Sequence, residues 1–211
     1  MKTALVVGAS GLIGKHLTKK LLTSNHYEKV SVIVRKPLNI IHPKLDQIVM
    51  DFDNLDVSKV KADDIFCCLG TTMKQAGSKA AFYKVDFTYP LNFAKAGLAN
   101  GAKQFLVVSS MGANEKSMVY YSRVKGEIEK ALSDLHYPTL IIVRPSMLAG
   151  ERENPRMGEK IGKVVMDFFA PLMPDKYKVI AGEKVAQAML ELAQKGIKNK
   201  DIFESGSLQK F

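Results

Sequence analysis

The stretch Gly8-Ala-Ser-Gly11-Leu-Ile-Gly14 lies directly between an apolar run, Thr3–Val7, and an amphipathic one, Leu12–Thr23. No other stretch restricts the fold as strongly. Glycines at a first strand-to-helix turn permit a tight reversal and bring bare backbone N–H groups to a helix start, where a pyrophosphate is held. Ser10, Leu12 and Ile13 share that turn, and Gly14 lets helix and strand pack closely. The spacing is G-x-x-G-x-x-G rather than the commoner G-x-G-x-x-G, and glycines in a loop also serve as plain turn punctuation. Position after the first strand is what favours a dinucleotide.

The rhythm continues along the chain. Val30–Val34, Gln47–Met50, Ile65–Leu69, Phe105–Ser109 and Leu140–Val143 are short and apolar without strict alternation, which predicts strands covered on both faces. Leu12, Ile13, Leu17, Leu21 and Leu22 share one helical face. Asp86–Asn100 and Val119–Leu132 are predicted helices, the first stopped by Asn100-Gly101. This β-α alternation predicts an α/β, Rossmann-type doubly wound parallel sheet. After Pro145 the pattern changes. Residues 149–160 are polar, with two glycines and a proline, and predict a loop that closes over a ligand. Lys160–Phe169 predicts a short helix, Pro171–Pro174 a turn, Glu183–Lys195 a helix and Ile202–Glu204 a last strand. Without repeats or linkers, residues 1–211 are expected to form one domain, with about 146–211 adding a small C-terminal lobe on the substrate side.

Composition removes several classes of function. Apolar residues make up 46% and charged residues 25%, which excludes a disordered polymer or a disulfide scaffold. The net charge is +10, but the lysines are dispersed and no zinc-finger, RNA-binding or basic-heptad pattern accompanies them. The surplus is therefore expected to be solvated surface charge plus an anion site, with no sequence-specific nucleic-acid binding. No apolar run reaches 18 residues, so no membrane span is expected. The start lacks the length and cleavage site of a signal peptide. Cys67 and Cys68 are adjacent, cannot easily bridge each other, and fit a reduced interior; the expected location is cytoplasmic. His16, His26, His42 and His136 share no metal-ligand spacing.

Other positions carry chemistry. Arg35 and Lys36 follow the second strand about 20 residues beyond the glycine turn, where an acid would receive the ribose 2′-hydroxyl of NAD. Two cations suit a 2′-phosphate instead, although a strand-end Arg-Lys pair is also ordinary solvated surface. Asp51 and Phe52, after the third strand, are placed to flank an adenine. The fourth strand ends Leu69-Gly70-Thr71-Thr72, at the edge where open parallel sheets bind ligands. The fifth runs into Ser109-Ser110. Tyr121 and Lys125 then sit at i and i+4 on a helix, where an ammonium favours the phenolate and makes the phenol a usable proton donor. Met147, Leu148, Phe168, Phe169, Leu172 and Met173 either line an apolar pocket or form lobe core.

Together, Gly8-x-x-Gly11-x-x-Gly14, Leu69-Gly70-Thr71-Thr72, Ser109-Ser110, Tyr121-x-x-x-Lys125 and Arg144-Pro145 resemble an atypical short-chain dehydrogenase/reductase. Cys67-Cys68-Leu69-Gly70-Thr71-Thr72, Tyr121-x-x-Val124-Lys125-Gly126-Glu127 and Arg144-Pro145-Ser146 resemble its HIV Tat-interactive-protein-like branch. The resemblance spans Ala4 to about Leu192. It implies an NADPH-binding Rossmann fold with a Ser-Tyr-Lys set at the nicotinamide end. Cofactor contacts would come from Ser10 to Ile13, Arg35, Lys36, Leu69, Gly70, Thr71, Tyr121 and Lys125, with Pro145, Leu148 and Arg156 further along. Two positions depart from the pattern. Asp86 stands where related enzymes often carry Asn, and Met111 occupies the third small-hydroxyl position of extended members, which leaves Ser110 first and Ser109 second as catalytic serine.

The reading that follows is an NADPH-dependent reductase or dehydrogenase acting on a small carbonyl or alcohol. Tyr121 would be the proton donor, Ser110 the alkoxide stabiliser, and Lys125 the partner of tyrosine and ribose. The alternatives are a non-catalytic NADPH-binding regulator with a protein partner, and an isomerase or dehydratase that uses bound cofactor transiently.

Overall fold

The structure, a computed structural model, describes residues 1–149, 174 and 177–211. Its centre is a seven-stranded, wholly parallel sheet. The strands in chain order are β1 (Lys2–Val7), β2 (Tyr27–Val34), β3 (Leu45–Val49), β4 (Asp64–Cys67), β5 (Gln104–Val108) and β6 (Thr139–Arg144). Two short strands, β7 (Leu148–Ala149) and β8 (Ile180–Ala181), pair apart from the sheet, and β9 (Asn199–Glu204) completes it. Spatial order is β3-β2-β1-β4-β5-β6-β9, so the order reverses between β1 and β4. Helices α1 (Leu12–Thr23), α4 (Tyr89–Ala99) and α5 (Tyr120–Ser133) connect the strands, with shorter α2 (Met73–Ala76) and α3 (Lys79–Tyr83) after β4.

Burial explains the pattern of the strands. Alternate side chains of β1 enter different cores: Ala4 and Val6 join Leu17 and Leu21 of α1 and Val185, Met189 and Leu192 of the Gly182–Leu192 helix. Leu5 and Val7 join Phe93 of α4 and Ile128 and Leu132 of α5. A strand buried on both faces cannot afford polar alternation, and each fully buried aliphatic side chain stabilises by about 1.5–3 kcal/mol. At the strand starts, the buried Asp64 carboxylate accepts from Tyr27 Oη at 2.7 Å and Gln104 Nε2 at 3.0 Å, and pairs with Lys2 Nζ at 3.1 Å. That cluster ties β1, β2, β4 and β5 together at one edge.

The predicted elements differ from the observed ones mainly at their ends. β2 begins at Tyr27, three residues before the predicted start. The predicted Asp86–Asn100 helix is preceded by a π-helical turn, Lys84–Thr88, which contains Asp86. The predicted last strand is longer, and β9 adds to the main sheet beside β6. Apart from Ala149, Pro174 and the ends that join them, the predicted loop 149–160, the Lys160–Phe169 helix and the Pro171–Pro174 turn lie outside the described residues.

Candidate functional site

A cleft of about 860 Å³ opens at the carboxyl edge of the sheet, within the roughly 300–1,000 Å³ usual for small-molecule sites. Its wall begins at the glycine turn. Gly8 has φ +86°, and a Cβ there would lie 2.7 Å from the Cys68 carbonyl carbon. A Cβ on Gly14 would lie 2.1 Å from Gly8 O. Only glycine permits this approach of turn, helix and β4 end. At Gly11 no side chain caps α1, and its first turn contains no acid. The amide groups that a helix start leaves unpaired therefore suit an anion, which the helix dipole also favours.

The floor and far wall come from four further elements. Gly70 and Thr71 follow β4, Ser109 follows β5, Tyr121 and Lys125 project from α5, and Leu148 belongs to β7. Lys125 Nζ lies 2.7 Å from Asp86 Oδ1, with both side chains buried. Burial pulls the Lys125 ammonium down, but the Asp86 carboxylate and the Tyr121 phenol outweigh it, so its pKa sits above the ordinary lysine value. Asp86 Oδ2 also accepts the Thr71 backbone N–H at 2.9 Å. One carboxylate therefore fixes both the lysine and the loop carrying Gly70. Asp86 is the sole acid among the described residues of the cleft wall, against Lys15, Lys19 and Lys125. The site is basic, as an anionic cofactor requires.

The two serines differ. Ser109 is buried, lines the cleft and donates its hydroxyl to Glu129, whose carboxylate is gripped by Arg144 Nε at 3.0 Å and Nη2 at 2.5 Å. Ser110 donates to Met111 O at 3.3 Å and is not part of the described wall. Pro145 is buried at the end of β6, its carbonyl accepting from Met111 N at 3.0 Å.

Arg35 and Lys36 are exposed immediately after β2, beyond the cleft wall. Asp51 accepts from Asp53 N at 3.1 Å and Asn54 Nδ2 at 2.9 Å, closing a turn. Phe52 is packed edge-on against Phe93 and Tyr89. Neither lines the cleft. Arg156 lies outside the described residues. Lys15, His16 and Lys19 of α1 share the wall with Ser10, Leu12 and Ile13, although no motif in the sequence includes them. Lys15 and His16 lie one helical turn beyond Gly11 and Leu12, and Lys19 one turn beyond Lys15, which is the signal the sequence carries. Cys68 also reaches the cleft, but burial pushes its thiol well above the ordinary range and Cys67 up to about 11, and both are free.

A strand order that reverses beside a glycine turn, with a basic cleft at that point, defines a dinucleotide-binding protein of the Rossmann class. The chain belongs to the NAD(P)H-binding family, which it matches over residues 8–195. It is 37% identical over 182 residues to protein HTATIP2 of Rattus norvegicus, covering 83% of this chain and 73% of that protein. It is 32% identical to the protein named FMP52, mitochondrial, of Eremothecium gossypii, covering 97% of this chain and 95% of that one. Among solved structures it resembles MoeE5 in complex with UDP-glucuronic acid and NAD, with TM-score 0.76 and 17% identity over 97% of this chain and 76% of that one. That likeness carries the fold alone. The resemblance to the Tat-interactive branch and the Rossmann-type sheet are thereby borne out. The cytoplasmic expectation is not: several relatives are named mitochondrial, and the absence of signal-peptide features and the adjacent thiols carry no information about that compartment. Among the described residues no helix is long and apolar enough to cross a membrane.

Proposed function

We propose that this chain is an NADP(H)-dependent oxidoreductase of the short-chain type, acting on a small carbonyl or alcohol. The observation that carries the reading is the convergence of Tyr121 and the Asp86–Lys125 pair on the same cleft as the glycine turn. The three glycines, at which a Cβ would press on backbone, make the cradle into which a pyrophosphate fits. When bound, the cofactor supplies or accepts a hydride at its nicotinamide. Reducing a carbonyl to an alcohol takes that hydride and one proton, and Tyr121 Oη holds the proton. Lys125 binds the ribose and keeps a positive charge beside the phenol. Arg35 and Lys36 favour NADPH by receiving a 2′-phosphate at the end of β2. The whole chain acts as one such domain, in which the part from about residue 146 onward contributes the substrate side.

The test is turnover of a carbonyl panel beside NADPH titration, with wild type and Tyr121→Phe. Loss of a general acid costs roughly 10²–10⁴ in rate, while NADPH affinity changes far less, because the pyrophosphate turn is untouched. Wild-type turnover by Tyr121→Phe would remove Tyr121 from the mechanism. A second reading, a non-catalytic NADP(H)-binding regulator with a protein partner, is favoured by one observation. Ser109 and Ser110 both spend their hydroxyl protons on protein acceptors, so either must turn before it donates to a substrate oxygen. Tight NADPH binding without turnover across the panel supports that reading.

A further inference from the structure

Two opposite charges lie buried at the floor of the cleft, 2.7 Å apart, under the loop that carries Gly70 and Thr71: a Cβ built on Gly70 would come within 3.5 Å of Asp86 Oδ1 and 3.7 Å of Lys125 Nζ. Both side chains are also part of the cleft wall, next to Tyr121. A buried lysine alone would leave one uncompensated positive charge there. Asp86 cancels it, and no second acid exists among the described wall residues to do so. The two redox forms of a nicotinamide differ in charge: the oxidised ring is cationic and the reduced ring neutral. In a site shielded from water, a unit charge a few ångströms away separates two such forms strongly.

We propose that Asp86 determines how the cleft discriminates between oxidised and reduced cofactor, by neutralising Lys125 so that the cationic ring is not repelled. This rests on the reading that the nicotinamide lies at the Tyr121–Lys125 end. Asp86 touches the reacting groups only through Lys125 and the Thr71 amide, so it is a positioning residue. A purely architectural role, holding Lys125 and the loop in place, weakens both cofactor forms by the same factor. A charge role changes their ratio.

The experiment measures dissociation constants of NADP⁺ and NADPH, by calorimetry and fluorescence, for the whole chain as wild type, Asp86→Asn and Lys125→Met. The titrations are run at pH 6 for Asp86→Asn and at pH 8 for Lys125→Met, with wild type at both, so that the charge left without its partner is kept in each variant. Asp86→Asn removes the charge and keeps one oxygen, which can accept from the Thr71 N–H or the Lys125 ammonium but not both, so lost positioning shows as an equal change in both constants and lost charge as a change in their ratio. Asp86→Asn should raise the NADP⁺-to-NADPH ratio of dissociation constants about tenfold, on the order of 1.4 kcal/mol. Lys125→Met leaves the carboxylate alone and should move the ratio the opposite way. Equal changes in both constants, leaving the ratio within twofold of wild type in either variant, overturn the proposal while leaving the cofactor site standing. Failure of wild type to bind either nucleotide instead overturns the reading on which it rests. Should Asp86→Asn not fold, the opposite shift in Lys125→Met decides the matter on its own.

Discussion

Among the described residues two aspartates are buried, Asp64 and Asp86, at opposite edges of one sheet, and they have different surroundings. Asp64 begins β4 and is closed in by Tyr27, Gln104 and Lys2, each at the first position of its own strand. Burial raises its pKa and the hydrogen bond from Tyr27 then opposes that rise without cancelling it. Asp86, beyond the carboxyl edge, has Lys125 and a backbone amide as partners and faces a cleft. The first carboxylate fastens four strands. The second sets the charge of a surface that a ligand can reach. What separates them is the polarity of a parallel sheet: a crevice lies outside the carboxyl ends of the strands where their order reverses, between β1 and β4, and Asp86 is at that edge while Asp64 is at the other.

Substitutions at the two edges should therefore separate stability from binding. The largest effect is expected at Asp64. Asp64→Ala strips partners from Tyr27 and Gln104 in the interior and should cost about 2–5 kcal/mol in chemical denaturation. The NADPH affinity of the folded fraction should not change. An affinity loss would show that the two edges are coupled.

At the cleft edge, Arg35→Asp should erase or invert a preference for NADPH over NADH of about ten- to a hundredfold, equivalent to a charge-assisted contact of roughly 1.5–3 kcal/mol. Thermal stability should hardly move, because Arg35 is exposed. Equal wild-type affinities for the two cofactors would remove the 2′-phosphate assignment. Gly14→Ala should act on both properties at once. Its Cβ meets backbone rather than a flexible side chain, so about 1–3 kcal/mol of stability should be lost together with affinity for either cofactor.

The smallest effect is expected at Asp63, beside Asp64. Its carboxylate accepts the Thr3 N–H and hydroxyl, both at 2.8 Å. The Thr3 backbone hydrogen bond is the main cause holding its pKa below the usual value. Because the folded pKa is depressed, this contribution is present above the ordinary aspartate pKa and is lost as pH falls through the folded value. Asp63→Asn should flatten the acid limb of a stability-against-pH curve, by lowering stability near neutrality while changing it little below the folded pKa.

The residues show why some of this was legible in sequence. The glycine turn is local: its meaning depends on seven consecutive residues and the runs on either side. Tyr121 and Lys125 are four apart on one helix, so their shared face follows from helical geometry. The start of β2 was missed because Glu28 and Lys29 are exposed polar residues within a strand whose remainder is apolar. α2 and α3 have four and five residues, too few for a helical period to register. The Asp86–Lys125 pair joins positions 39 residues apart, across a π-helical turn that no apolar periodicity signals. Of the neighbours Ser109 and Ser110 only the first lines the cleft, and adjacency in sequence carries no sign of which one does.

The central claim is that the carboxyl edge of this sheet holds NADP(H) with its reactive ring beside Tyr121 and Lys125. A crystal structure of the NADPH complex tests it most directly. The account predicts pyrophosphate on the amides of residues 8–14, the 2′-phosphate at Arg35 and Lys36, and an open cavity on the nicotinamide face beside Tyr121. A nicotinamide turned away from Tyr121, or sealed against protein on its reactive face, would contradict it.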